Sequence, residues 1–265
     1  GIGLGGLAVV AEGGQRGLAV GGLATVSTGF SRGVNVGGLA TVTEGHSWGV
    51  NIGGLATVSN GHSRGVNLGG LAAVAGEGQL KGVQLGGLAV VGQNGLQGIS
   101  GGGLAAVAGS GDASGIQVGG LAVVAGEGSM TGVNVGGLAV VAGQGIAKGL
   151  NLGGLAVVGV EGVEGVNVGG LAVVSEEYVR GLSLGGYKVD APRGSWLAGA
   201  VWKVDVDEFD GLSVALWNEH SWRSRGLSIG ILNRTEELEG VQIGLLNYAG
   251  NNSRFRWLPL MNAHF

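Results

Sequence analysis

Three pentapeptides in this chain have the spacing of a serine nucleophile elbow, G-x-S-x-G: Gly29-Phe30-Ser31-Arg32-Gly33, Gly45-His46-Ser47-Trp48-Gly49 and Gly61-His62-Ser63-Arg64-Gly65. In an acyl-transfer enzyme the motif occurs once, on a sharp turn between a strand and a helix, with a histidine and an acid folded against it. Here it recurs at a fixed interval with no helical pattern after any copy, so the serines read as turn residues of a repeat. Gly1-Ile2-Gly3-Leu4-Gly5-Gly6 fits the G-x-G-x-x-G of a dinucleotide loop. That loop needs a strand before it and a helix after it, and this segment is ordinary repeat. His46 and His62 fall at equivalent positions, where two imidazoles could begin a metal site, but a structural zinc takes four ligands and no third candidate shares their register. Glu77, Asp112 and Glu127 form no carboxylate column of the kind calcium-binding β-rolls use. Thr25, Thr41 and Thr57 make one column that stops at Ala73, too short for a flat ice-binding array. We assign no catalytic, metal or cofactor-binding residue, no cofactor and no small-molecule substrate, and expect no enzymatic activity.

The chain that must position these residues has 265 of them, 63 of which are glycine, with two prolines and no cysteine. That much glycine suggests collagen or a disordered linker. Collagen needs glycine at every third residue, and a linker would be polar. Here 45% of residues are hydrophobic, enough to bury a core. A net charge of −4 with 12% charged residues gives no basic footprint for nucleic acid. The absence of cysteine excludes disulfides and thiolate sites. The apolar stretch 132–160, whose only basic residue is Lys148, is broken by glycine every few residues, unlike a membrane helix of about 20 apolar residues. The chain opens inside the repeat pattern, as a processed chain or a piece of one would.

Self-similarity decides the architecture. Aligned on G-V-N-V-G-G-L-A-x-V, units start at Gly1, Gly17, Gly33, Gly49, Gly65, Gly82, Gly98, Gly115, Gly132, Gly149, Gly165 and Gly181, and weaker ones at Gly211, Gly226 and Gly240. Within a unit, Val34 and Val36 flank Asn35, and Ala40 and Val42 flank Thr41. That is period-two β patterning, and the Gly37-Gly38 pair marks a bend. Neighbouring turns resemble each other with no alternation between odd and even units, which favours stacked coils over an up-and-down barrel. The expected fold is all-β: a flat, two-sided parallel β-solenoid of 16–17-residue coils with a degenerate C-terminal capping region. An antiparallel transmembrane β-barrel is the alternative.

Asn35, Asn51, Asn67, Gln84, Gln117, Asn134, Asn151 and Asn167 occupy one register. Stacked about 4.8 Å apart, their amides can bond along the axis as a structural ladder. We expect the core to take Val34 and Val36 from one sheet and Ala40 and Val42 from the other, with Leu39 plugging the Gly-Gly corner. On that reading Val66→Asp, at the counterpart of Val34, buries an unpaired charge.

Regular repeats are expected over residues 1–196, and degenerate repeats with a cap over 197–265. Beyond Arg180 lie 9 of the 18 acidic residues and 5 of the 6 tryptophans, and this change suits a cap that covers the last sheet edge. Trp196, Trp202, Trp217 and Trp222 are the candidates for docking a partner, because tryptophan concentrates binding energy at interfaces.

The units Gly226-Leu-Ser-Ile-Gly-Ile-Leu-Asn233 and Gly240-Val-Gln-Ile-Gly-Leu-Leu-Asn247, with the ending Asn252 to Phe265, resemble bacterial glycine-rich surface-repeat proteins. The resemblance implies export to the cell surface, the outer membrane or the periplasmic face of a bacterium. The first eleven units carry Gly-Gly-Leu-Ala where such proteins often have a Leu-Leu-Asn-like segment. The expected role is a non-catalytic scaffold, a subunit of a larger assembly or filament, joined to a protein partner or to further copies through its sheet edge. An outer-membrane pore component, with membrane contact, and a glycan- or ice-binding solenoid are the alternatives.

Overall fold

Glycine punctuation leaves only short stretches between breaks, and the chain answers with strands alone. The computed structural model describes all 265 residues, with twenty-eight strands and no helix. The strands form a parallel β-solenoid fold of about fifteen coils. The chain divides into two compact units, Gly1–Gly137 with Val141–Gly143, and Leu138–Val140 with Gln144–Phe265.

In the first unit each coil holds a long strand and a short one, such as Phe30–Gly37 followed by Ala40–Thr43. Long strands pair with long and short with short, always in parallel and residue for residue: Gly33 lies beside Gly49, Asn35 beside Asn51, and Thr41 beside Thr57. An up-and-down barrel would pair sequence neighbours antiparallel, so that alternative is excluded.

Two glycine positions make the short coil feasible. The residue that opens each unit, Gly33 for example, has φ 129°, and a Cβ there would collide with the carbonyl of Gly17 in the coil below. Only glycine adopts this conformation without strain. The alternation runs on through the bend, with Ser31 and Asn35 inward and Arg32 and Val34 outward. At the Gly37-Gly38 corner a Cβ on either residue would strike a backbone carbonyl, that of Ala40 or that of Gly22.

The structure reverses the expected facing of the strands. Asn35, Gly37, Thr41 and Thr43 are buried, whereas Val34, Val36, Ala40 and Val42 lie on the outer surface, and Leu39 is 46% exposed at the corner. Val66 likewise points outward, so an aspartate there would meet solvent. The cause lies in the amide column: turned inward, Asn35, Asn51 and Asn67 bond to one another along the stack, and the other inward columns hold side chains from Ala, Ser, Thr and Val up to Leu80, Leu96 and Met130.

The second unit begins the same way, with Gly162–Gly169 and Ala172–Ser175. Its later turns contract: fifteen residues separate Gly211 from Gly226 and fourteen separate Gly226 from Gly240. Long and short strands then merge into runs such as Trp217–Ile229 and Leu232–Ala249. The final strand, Trp257–His264, pairs antiparallel with the last of these, Val241 beside Ala263 and Tyr248 beside Trp257. It closes the edge that one more parallel coil would use.

Candidate interaction surface and interior ladders

The amide column runs through the interior. Asn35 Nδ2 donates to Asn51 Oδ1 at 2.7 Å, Asn51 to Asn67 at 2.7 Å, and Asn67 to Gln84 Oε1 at 2.6 Å. The column loses its amide at Ser100, leaving Gln84 Nε2 and Gln117 Oε1 without a protein partner, while Gln117 Nε2 turns to the carbonyl of Ser114 at 3.0 Å. Asn134 keeps the register and is fully buried. In the second unit Asn151 donates to Asn167 at 2.8 Å.

A second ladder, not anticipated from the sequence, lies on the short-strand side of the last coils. Asn218 Nδ2 donates to Asn233 Oδ1 and Asn233 Nδ2 to Asn247 Oδ1, both at 2.7 Å, and Asn247 ends on the carbonyl of Leu258 in the closing strand. Its sequence signal was an asparagine recurring after two bulky residues, as in Ile231-Leu232-Asn233 and Leu245-Leu246-Asn247. Near it His220 is fully buried, 2.8 Å from the carbonyl of Val206 and 3.2 Å from Ser213 Oγ, and stacked on Phe209. Burial drives its pKa down to about 4 despite the bond to Val206, so the imidazole is neutral.

The elbow-like serines are interior too. Ser31 and Ser47 accept from Asn35 and Asn51, and Ser63 donates to Asn67. Their hydroxyls bond to asparagine and not to a histidine ring; Ser31 and Ser47 meet His46 and His62 only through the backbone. His46 and His62 stack at 5.3 Å, and the Nδ1 of each accepts a backbone N–H, from His62 and Gln79 respectively. No group of three potential ligands forms anywhere in the chain. The threonine column is also internal, with Thr25, Thr41 and Thr57 no more than 4% exposed, so it offers no face to ice.

The outer surface is where large apolar side chains collect. Each early coil shows an aliphatic pair from its long strand, Val50 and Ile52 for example, an Ala-x-Val from its short strand, and a corner leucine such as Leu55 at 47% or Leu71 at 46% exposed. Charged side chains on this surface stand in the variable turns or just before the unit-opening glycine, as Arg32, Arg64 and Lys81 do. The outer face of these coils is therefore a continuous run of aliphatic side chains.

Further on, the short-strand face changes character. The alanine column continues as Lys188 and Lys203, and the valine column as Asp190, Asp205 and Glu219. Lys188 bridges Asp190 and Asp205, both at 2.8 Å, and Lys203 bridges Asp205 at 2.9 Å and Glu219 at 2.7 Å. Partial burial opposes the charge on Asp205, but its bonds from Lys188 and Lys203 hold the carboxyl below its usual range.

The four candidate docking tryptophans do not gather in one patch. Trp196 stands in the column of unit-opening glycines, between Gly181 and Gly211, at φ 86° and 74% exposed. Trp202 follows the corner leucines and stacks on Tyr187, Trp217 lies under Lys203 on the short-strand face, and Trp222 projects from the strand Trp217–Ile229 where its register shifts between His220 and Arg223. The backbone strain at Trp196, in a conformation that glycine takes at the neighbouring positions of its column, costs about 1–2 kcal/mol.

Fold and side chains together define a glycine-punctuated parallel β-solenoid with amide ladders inside and aliphatic faces outside. The chain matches no protein-family model, no curated protein and no solved structure.

Proposed function

We propose that this chain is a non-catalytic structural scaffold whose aliphatic outer faces join it to further copies of itself, in an exported assembly at a bacterial surface or envelope. The observation that carries the reading is the outward position of Val34, Val36, Leu39 and their counterparts through successive coils. Such side chains contribute little to the coil that bears them and gain about 25 cal/mol for each Å² that a partner covers. Flat, repetitive faces of small aliphatic residues suit a second copy in the same register. The resemblance of the last units to bacterial glycine-rich surface-repeat proteins supports the exported setting.

The test replaces three neighbouring outward valines, Val50→Lys, Val66→Lys and Val83→Lys, and follows association by light scattering and sedimentation velocity. The scaffold reading predicts a concentration-dependent assembly of the unsubstituted chain that the triple variant loses while its β-sheet circular dichroism persists. A chain that stays monomeric at every concentration and instead floats with lipid vesicles would replace self-assembly with a membrane role.

A further inference from the structure

The interior of the second to fourth coils differs from the rest of the stack. Three inward columns carry hydroxyls there: Thr25, Thr41 and Thr57 on the short strands, Ser27, Thr43 and Ser59 two residues on, and Ser31, Ser47 and Ser63 on the long strands. At the next coil all three columns switch together to hydrocarbon, as Ala73, Ala75 and Leu80. The columns lie on different strands, so a shared occupant of the space between them accounts for a joint change better than separate packing needs do.

The hydroxyls of Thr25, Thr41 and Thr57 are buried and have no protein group within hydrogen-bonding reach. A buried hydroxyl without a partner costs free energy, and here the cost would repeat in three coils. Thr41, Thr57, Ser47, Ser63 and the amides of Asn51 and Asn67 line one internal cavity of about 10 Å³. That is the space for the centre of about one water molecule, and the wall offers more than the two to four polar partners a water needs. In later coils the larger Leu80, Leu96 and Met130 fill the serine column instead.

We infer that this cavity is an internal water site, with an ordered water bound by the hydroxyls of Thr41 and Thr57 as part of the folded core. A metal cation fits less well, because the wall carries no carboxylate and its amides are already engaged with Ser47, Ser63, Gln84 and one another, which leaves neutral hydroxyls as the free groups. Water gives and accepts hydrogen bonds and matches such a wall.

The site makes a prediction of sign. Thr41→Val and Thr57→Val are near-isosteric and remove only the hydroxyl. If the hydroxyls hold a water, the double variant unfolds at a lower urea concentration than the unsubstituted chain. If the cavity is dry, the variant loses two unpaired polar groups and its midpoint rises, which would overturn the inference. An independent reading needs no variant: in the intact chain the methyl protons of Thr41 and Thr57 should cross-relax with a long-lived water in a water-selective nuclear Overhauser experiment. Thr131, which projects from the surface, should show only fast-exchanging solvent. Absence of a long-lived water signal at both interior threonines contradicts the site even if the variants fail to fold.

Discussion

The short-strand face of the early coils and that of the coils from Lys188 onward come from the same part of the repeat, yet carry opposite chemistry. Up to Ala172 the face is alanine and valine. From Lys188 it is a zigzag of lysine, aspartate and glutamate whose members bond to the coils on either side. The ionic face completes its interactions within the chain, and the aliphatic face leaves its own open. Parallel stacking therefore fixes where a side chain stands, and the residue type on the outer columns decides whether a surface is bonded within the chain or presents bare hydrocarbon.

The interior sharpens this contrast, because there both regions rely on amides. Asn51→Leu should be the most damaging change, breaking the bonds to Asn35, Asn67 and Ser47 in a space too narrow for leucine. The expected loss is about 3–5 kcal/mol, read from the urea midpoint. The outward neighbour Val50→Ala, by comparison, should cost under about 1 kcal/mol in the dispersed chain.

The region of the ionic ladder carries a pH response through His220. The folded pKa of His220, about 4, lies below the ordinary 6.5, so the unfolded chain takes the proton first. Its contribution is complete above about pH 6.5 and is lost as the pH falls toward about 4, by about 3 kcal/mol in all. Urea titrations across that window should show stability falling with acid, and His220→Gln should flatten the slope while lowering stability at neutral pH.

Breaking the ladder itself should do less. Lys203→Ala removes the bridges to Asp205 and Glu219, whose side chains are 24% and 20% exposed, and should cost about 1 kcal/mol. High salt should shrink the difference between variant and parent. A loss that is large and indifferent to salt would mean that Lys203 supports the fold by packing over Trp217 rather than by its charge.

Much of this was legible in the residues. The interval between glycines gave the coil, the likeness of successive turns gave the parallel stack, and the column from Asn35 to Asn167 gave a polar ladder. Facing was not legible, because a period-two pattern describes two faces equally well, and a shift by one residue exchanges them. Assigning the aliphatic set inward follows the usual rule for sheets, but amides stacked in register bond to one another, and that places Asn35 and its counterparts in the interior. The ladder of Asn218, Asn233 and Asn247 escaped notice because the contracted turns moved it off the 16-residue interval. The docking tryptophans were chosen by type, and type does not reveal that each occupies its own column.

The chain has no cysteine, so single thiols can report facing without background. Val66→Cys and Asn67→Cys, adjacent on one strand, should be labelled with a small thiol reagent at a dilution where self-association is absent. An outward aliphatic face and an inward amide ladder require rapid labelling of the Val66 variant and protection of the Asn67 variant until urea unfolds the chain. Protection at position 66 with rapid labelling at position 67 would contradict the account.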